Sequence, residues 1–126
     1  MRSVEMQRGH AEHLVGQVEQ LIDENGLTFA QVTCIAVTIG PGNFAGLRVG
    51  VSAAKGFALA SNADLVGINT FDAFRSGLKG DAGSKATLVL DGRRGEVFYQ
   101  TGDGTVGRIA LDEMTAETLG LIDTEA

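Results

Sequence analysis

The segment that most constrains this chain is residues 32–60, where a β-branched apolar run meets a glycine turn and then a long apolar stretch. Val32-Thr33-Cys34-Ile35-Ala36-Val37-Thr38-Ile39 is bounded by turn formers and reads as a strand. Its near-continuous apolar character predicts burial on both sheet faces. Gly40-Pro41-Gly42-Asn43 ends the strand, and a helix is expected over 44–60. Within that helix Arg48, Ser52 and Lys55 fall at i, i+4 and i+7, so its polar side chains share one narrow stripe. Gly46, Gly50 and Ala54 recur every four residues and form a smooth groove where another backbone can come close. An interior helix glycine costs about 1 kcal/mol relative to Ala, so Gly46, Gly50 and Gly56 together imply a compensating packing gain. Spacing alone leaves two ways to cover this helix: the chain's own first helix, or another polypeptide.

The rest of the chain supplies an α/β frame. Leu14, Val15, Val18, Leu21 and Ile22 recur at helical spacing over 10–24, and Asn25-Gly26 should stop that helix. Thr28 can cap a brief helical turn over 29–31, and Val4 and Met6 alternate as though they end a strand. A short strand over 65–68 and a helix from 70 or 71 to 78 follow, so strands alternate with helices and parallel pairing is expected. Turn residues crowd 77–84, which places a boundary between units 1–78 and 79–126. Two strands, 86–90 and 96–100, flank Asp91-Gly92-Arg93-Arg94-Gly95 as a hairpin. A third strand is expected over 105–111, and Thr115 can cap a helix running to 122.

Composition and motifs exclude several activities. A formal net charge of −6 opposes independent capture of nucleic acid, which needs clustered Lys and Arg. Cys34 is the sole cysteine, expected buried, so no internal disulfide can form and a reducing compartment is favoured. The opening residues lack a signal-peptide core, and no apolar run nears the roughly 20 residues of a membrane helix. A cytoplasmic protein is expected. The loop Gly40, Pro41, Gly42, Asn43 before a helix could present backbone N–H groups to a phosphate. Yet Gly42 and Gly46 are too close for a Walker A loop, and Ala45 stands where a Rossmann turn needs glycine. A plain strand-to-helix turn is the favoured reading on spacing. Asp91 with Arg93 and Arg94 could touch an anion, with a solvated charged turn again favoured. His10 and His13 lie three apart without an evident third ligand, so no metal is expected. His10-Ala11-Glu12-His13 is not H-E-x-x-H and no G-x-S-x-G is present, which argues against peptidase chemistry.

The run IAVTIGPGNFAGLRVGVSAAKGFALA resembles the TsaB (YeaZ) family pattern G-P-G-S-F-T-G-L-R-I-G followed by an A-K-G-L-A helix. LVGINTF and LVLDGRRGEVFYQ fit as well, the latter resembling D-x-R-x-G-E-V-Y, so three ordered motifs cover about residues 34–100. The resemblance implies part of an actin-like ATPase (ASKHA) fold, truncated at both ends. It implies a non-catalytic partner of TsaD, working with TsaE to install threonylcarbamoyladenosine in tRNA. RNA would be reached only through the complex, and ATP would be bound only there, with no cofactor held alone. The family's first two helices pack on TsaD or on a second copy. Carried over, the interface comprises His13, Gly46, Leu47, Arg48, Gly50, Val51, Ala54 and Lys55. Asn43 and Ala45 replace the family's usual Ser and Thr, removing their hydroxyls. The family's opening strands and about half of its second subdomain have no counterpart here, so an open strand edge and self-association are expected. The TsaD branch carries an H-x-x-x-H pair after the second helix; the stretch Val66-Gly67-Ile68-Asn69-Thr70-Phe71 has no histidine.

Overall fold

The computed structural model describes residues 10–81 and 85–115. Their order is α1 (His10–Glu24), a 3-10 turn (Phe29–Gln31), β1 (Cys34–Gly40), α2 (Phe44–Ser61), β2 (Asp64–Asn69), α3 (Thr70–Ser76), β3 (Leu88–Arg93), β4 (Glu96–Gln100), β5 (Val106–Ala110) and a second 3-10 turn (Leu111–Glu113). The expected strand end at Val4 and Met6 and the helix body after Thr115 fall outside the described residues.

Two compact units form. One runs from α1 through Ile68; the other begins at Asn69 and also takes Gly40–Phe44. The division lies ten residues earlier than the 78/79 boundary expected from the turn residues. Arg75 of α3 supplies the reason. Its Nε donates to Gln100 Oε1 at 3.0 Å, while its two terminal nitrogens donate to the carbonyls of Ala86 and Thr101 at 3.2 and 3.3 Å. These bonds tie α3 to the chain around β3 and β4.

In the first unit, β1 and β2 pair as a two-stranded sheet. The Asp64 N–H donates to the Thr33 carbonyl at 2.9 Å, so the strands start side by side and run the same way, as a strand–helix–strand crossover requires. Helix ends follow local chemistry. Gly26, at φ 64°, closes α1, with Gly26 and Leu27 N–H groups donating to Asp23 and Ile22 carbonyls. Asn62, at φ 54°, does the same for α2, with Ala63 N–H reaching the Ala58 carbonyl. Both are left-handed stops that use residue types suited to the task. The Gln31 side chain accepts from the Thr28 N–H at 2.8 Å, securing the short turn between α1 and β1.

The expectation that β1 is covered on both faces is corrected. Burial alternates from Cys34 to Thr38, with Ile35 and Val37 half-buried and Cys34, Ala36 and Thr38 exposed, and Ile39 breaks the pattern at 59% exposure. Among the described residues, α1 and α2 cover one face and no element covers the other. Cys34 is therefore exposed rather than buried. Among the described residues of the first unit, the buried apolar side chains are Ala54 and Ala58, both on α2.

In the second unit, β3, β4 and β5 form an antiparallel sheet in that order. Its core holds Phe71 at 0% exposure and Val97 at 6%, with Gln100 buried beside Arg75. The hairpin differs from expectation in its strand length. β3 continues to Arg93 through an irregularity between Asp91 and Arg93, so Asp91 and Gly92 belong to the strand and not to the turn. The β4–β5 turn is held by Asp103, whose carboxylate accepts from the Thr101 hydroxyl and the Thr105 N–H. Those bonds, the Thr101 one foremost, hold its carboxyl below the ordinary carboxylate range. Tyr99 lies over Gly107 on β5, where a Cβ would fall 2.5 Å from the ring, so a larger residue there would displace the tyrosine.

Candidate functional site

The surface expected to meet a partner is the α1–α2 layer, and the structure sorts its residues by face. Gly50 lies over β1: a Cβ there would sit 3.7 Å from Val37 Cγ2. Ala54 is 5% exposed, and Leu47 and Val51 are half-buried. The reading of Gly46, Gly50 and Ala54 as one groove open to a partner is thus corrected for its last two members. They let α2 settle closely on its own sheet, and only Gly46 is exposed. His13, Arg48 and Lys55 are exposed as well.

Between α1, β1 and α2 the packing leaves an apolar cavity of about 260 Å³, lined by Leu14, Val18 and Ile22 on one side and Ala53, Ala54 and Phe57 on the other. Phe29 stacks on Phe57, with ring centroids 5.5 Å apart. The first helix therefore covers the inner flank of α2, which answers half of the question left open by spacing.

The outer flank of α2 is the more exposed side of the helix. Ala45, Arg48, Ser52, Lys55, Gly56 and Leu59 are exposed along it, Leu59 at 87%. A shallow groove of about 520 Å³ follows Ala45, Arg48, Val49, Ser52 and Ala53. A Cβ added at Gly56 would meet nothing within 4 Å. Ala45, Ser52 and Leu59 were missed as interface candidates, although the polar stripe through Arg48, Ser52 and Lys55 already marked this side. Small residues, two cations and an apolar end thus share this flank.

The glycine turn sits at the start of this helix. Gly40 has φ 120°, in the region open to glycine, and the Gly40–Pro41 bond is cis. Gly40, Pro41 and Gly42 are half-buried, Asn43 is exposed, and the Phe44 ring is 73% exposed. Among the described residues no three His, Cys, Asp or Glu side chains gather as a metal's ligands would, and no helix is long and apolar enough to cross a membrane.

Two solved structures share this arrangement. A crystal structure of an uncharacterized protein with similarity to peptidase YEAZ from Pseudomonas aeruginosa superposes with a TM-score of 0.71 at 26% identity, over 87% of this chain and 56% of that one. YeaZ from Pseudomonas aeruginosa gives 0.65 at 25%, over 84% and 55%. The fold is thus part of the actin-like ATPase architecture. The chain belongs to the family described as TsaD: tRNA N6-adenosine threonylcarbamoyltransferase, whose model matches residues 4–123, and its motifs and solved neighbours are those of TsaB (YeaZ) members. The tRNA threonylcarbamoyladenosine biosynthesis protein TsaB of Escherichia coli is 26% identical over 73% of this chain and 40% of its own length. The tRNA N6-adenosine threonylcarbamoyltransferase of Erythrobacter litoralis is 31% identical over 90% of this chain and 37% of its own. The chain therefore spans about two fifths of the length of these relatives.

Proposed function

We propose that this chain is a non-catalytic partner of TsaD in the formation of threonylcarbamoyladenosine in tRNA, docking through the outer flank of α2. The observation that carries the reading is that flank itself: Ala45, Arg48, Ser52, Lys55 and Leu59 aligned and exposed on a helix whose other side is already covered. His13 and the exposed side of α1 would extend the surface. TsaE would join the assembly, tRNA would be reached through it, and ATP would be held only there. A homodimer through the same helices would compete with TsaD for one surface, and such a contact is self-complementary by symmetry. The absence of histidine from residues 66–71 favours the partner role over a TsaD-type enzyme, whose branch carries a histidine pair there.

The test is a transfer assay with purified components and an unmodified tRNA. The chain alone should form no threonylcarbamoyladenosine, and its addition to TsaD from the same source, with TsaE, should raise the yield at least tenfold. Product formed by the chain alone would assign it an active site and end the partner reading.

A further inference from the structure

The tip of the β3–β4 hairpin holds two arginines in a backbone region that such residues disfavour. Arg93 and Arg94 sit at φ 66° and 55°, followed by Gly95 at 78°, so three successive residues are left-handed. Arg93 pairs with Glu96, so the turn centres are Arg94 and Gly95; Asn-Gly or Gly-Gly is favoured there, which Gly95 meets and Arg94 does not. A long L side chain is disfavoured there because its Cβ crowds the next carbonyl. An outlier of this kind, held by its surroundings, points towards a role.

The surroundings do hold it. Asp91 Oδ1 accepts from the Arg93 N–H at 2.8 Å, and the Leu111 N–H donates to the Gly95 carbonyl. Both arginines are exposed. Asp91 sits at the tip, its carboxylate on the Arg93 backbone, while Glu96 pairs with Arg108 at 3.6 Å. Asp112 and Glu113 follow Leu111, and the whole chain carries −6. The tip carries two exposed guanidinium groups among carboxylates in an acidic chain, a number suited to one or two anionic groups rather than to a long backbone track.

We propose that Arg93 and Arg94 grip one or two phosphodiesters of an RNA whose main hold lies on another subunit. The proposal rests on the partner role in tRNA modification, which is what favours RNA over an acidic peptide. A guanidinium fork matches two phosphate oxygens, and a rigid turn presents both forks without ordering a loop on binding.

The variant Arg93→Asn/Arg94→Asn tests this, because Asn tolerates the left-handed region and should keep the turn. It should melt at or above the wild-type temperature. Binding of an unmodified tRNA transcript is then measured against salt concentration, for the chain with TsaD and for the chain alone. Loss of one or two phosphate contacts should lower the slope of log K against log salt by about 0.7–1.8. An unchanged slope in a folded variant overturns the proposal, as does the absence of tRNA binding in both settings. Loss of binding to an acidic peptide instead, with tRNA binding intact, also overturns it and assigns the tip to a protein. Failure of the wild-type chain to pair with TsaD would sink the partner reading, and this proposal with it unless the chain alone binds tRNA with a slope that the variant lowers.

Discussion

Arg75→Met should destabilise the second unit by about 3 kcal/mol, a large effect for a half-buried side chain. Arg75 makes three hydrogen bonds from one guanidinium, to Gln100 and to the carbonyls of Ala86 and Thr101. Hydrogen bonds from a charged group contribute roughly 1.5–3 kcal/mol each, and a buried partner left unsatisfied costs a further 1–3 kcal/mol. Gln100, 8% exposed, is such a partner. The sum is tempered because Met retains the apolar stem contacts and the two carbonyls can find water. Tyr99 is the sole tyrosine and there is no tryptophan, so intrinsic fluorescence reports on this unit. Its thermal transition should fall by more than about 10 °C in the variant. Arg75→Lys should fall between, since an ammonium cannot reach three acceptors in a plane. A transition within 2–3 °C of wild type, about the shift of a sub-kcal change, would show that the bonds do not anchor α3.

Gly92→Ala should also unfold the hairpin preferentially, by roughly 2 kcal/mol. A Cβ at position 92 would lie 2.9 Å from the Glu96 carbonyl oxygen and 3.2 Å from its carbon. Both are backbone atoms of the paired strand, so relief requires the strands to part and not merely a side chain to rotate. Overpacking of this kind typically costs about 1–3 kcal/mol. The contrast is Gly56→Ala, with nothing within 4 Å, where better helix propensity should add up to about 1 kcal/mol. Denaturant midpoints of the two variants should therefore move in opposite directions. A neutral Gly92→Ala would mean that the irregularity between Asp91 and Arg93 absorbs the methyl group.

Much of the architecture could be read from local chemistry, because its signals are short-range. The stop at Asn25-Gly26, the glycine turn before α2 and the alternation of strands with helices all sit in neighbouring residues. What could not be read depends on distant ones. Helical periodicity groups Gly46, Gly50 and Ala54 on one stripe, but it does not say which side of α2 meets the sheet. The buried Ala54 and Ala58 decide that, and they look no different from exposed alanines in sequence. The apolar run of β1 suits a strand covered twice, whereas the described residues cover it once, which exposes Cys34. Arg75 looks like the polar side of a short helix. Its partner Gln100 lies 25 residues away, and no local pattern links them. Arg93 and Arg94 were expected in the hairpin, but their left-handed backbone was not, because arginine gives no sign of it. The candidate docking side was half legible: the stripe of Arg48, Ser52 and Lys55 is exposed, while Ala45 and Leu59 needed coordinates.

The partner role stands most directly on sedimentation velocity of the chain mixed with TsaD from the same source, wild type against Ser52→Glu/Leu59→Glu. Both positions are exposed, so the double variant should keep the wild-type circular dichroism and melting temperature. The wild type should co-sediment with TsaD as one species, and the variant should lose at least about tenfold in affinity, equivalent to about 1.4 kcal/mol. Separate boundaries for the wild type and TsaD, or equal complex formation by the folded variant, would contradict docking through the outer flank of α2.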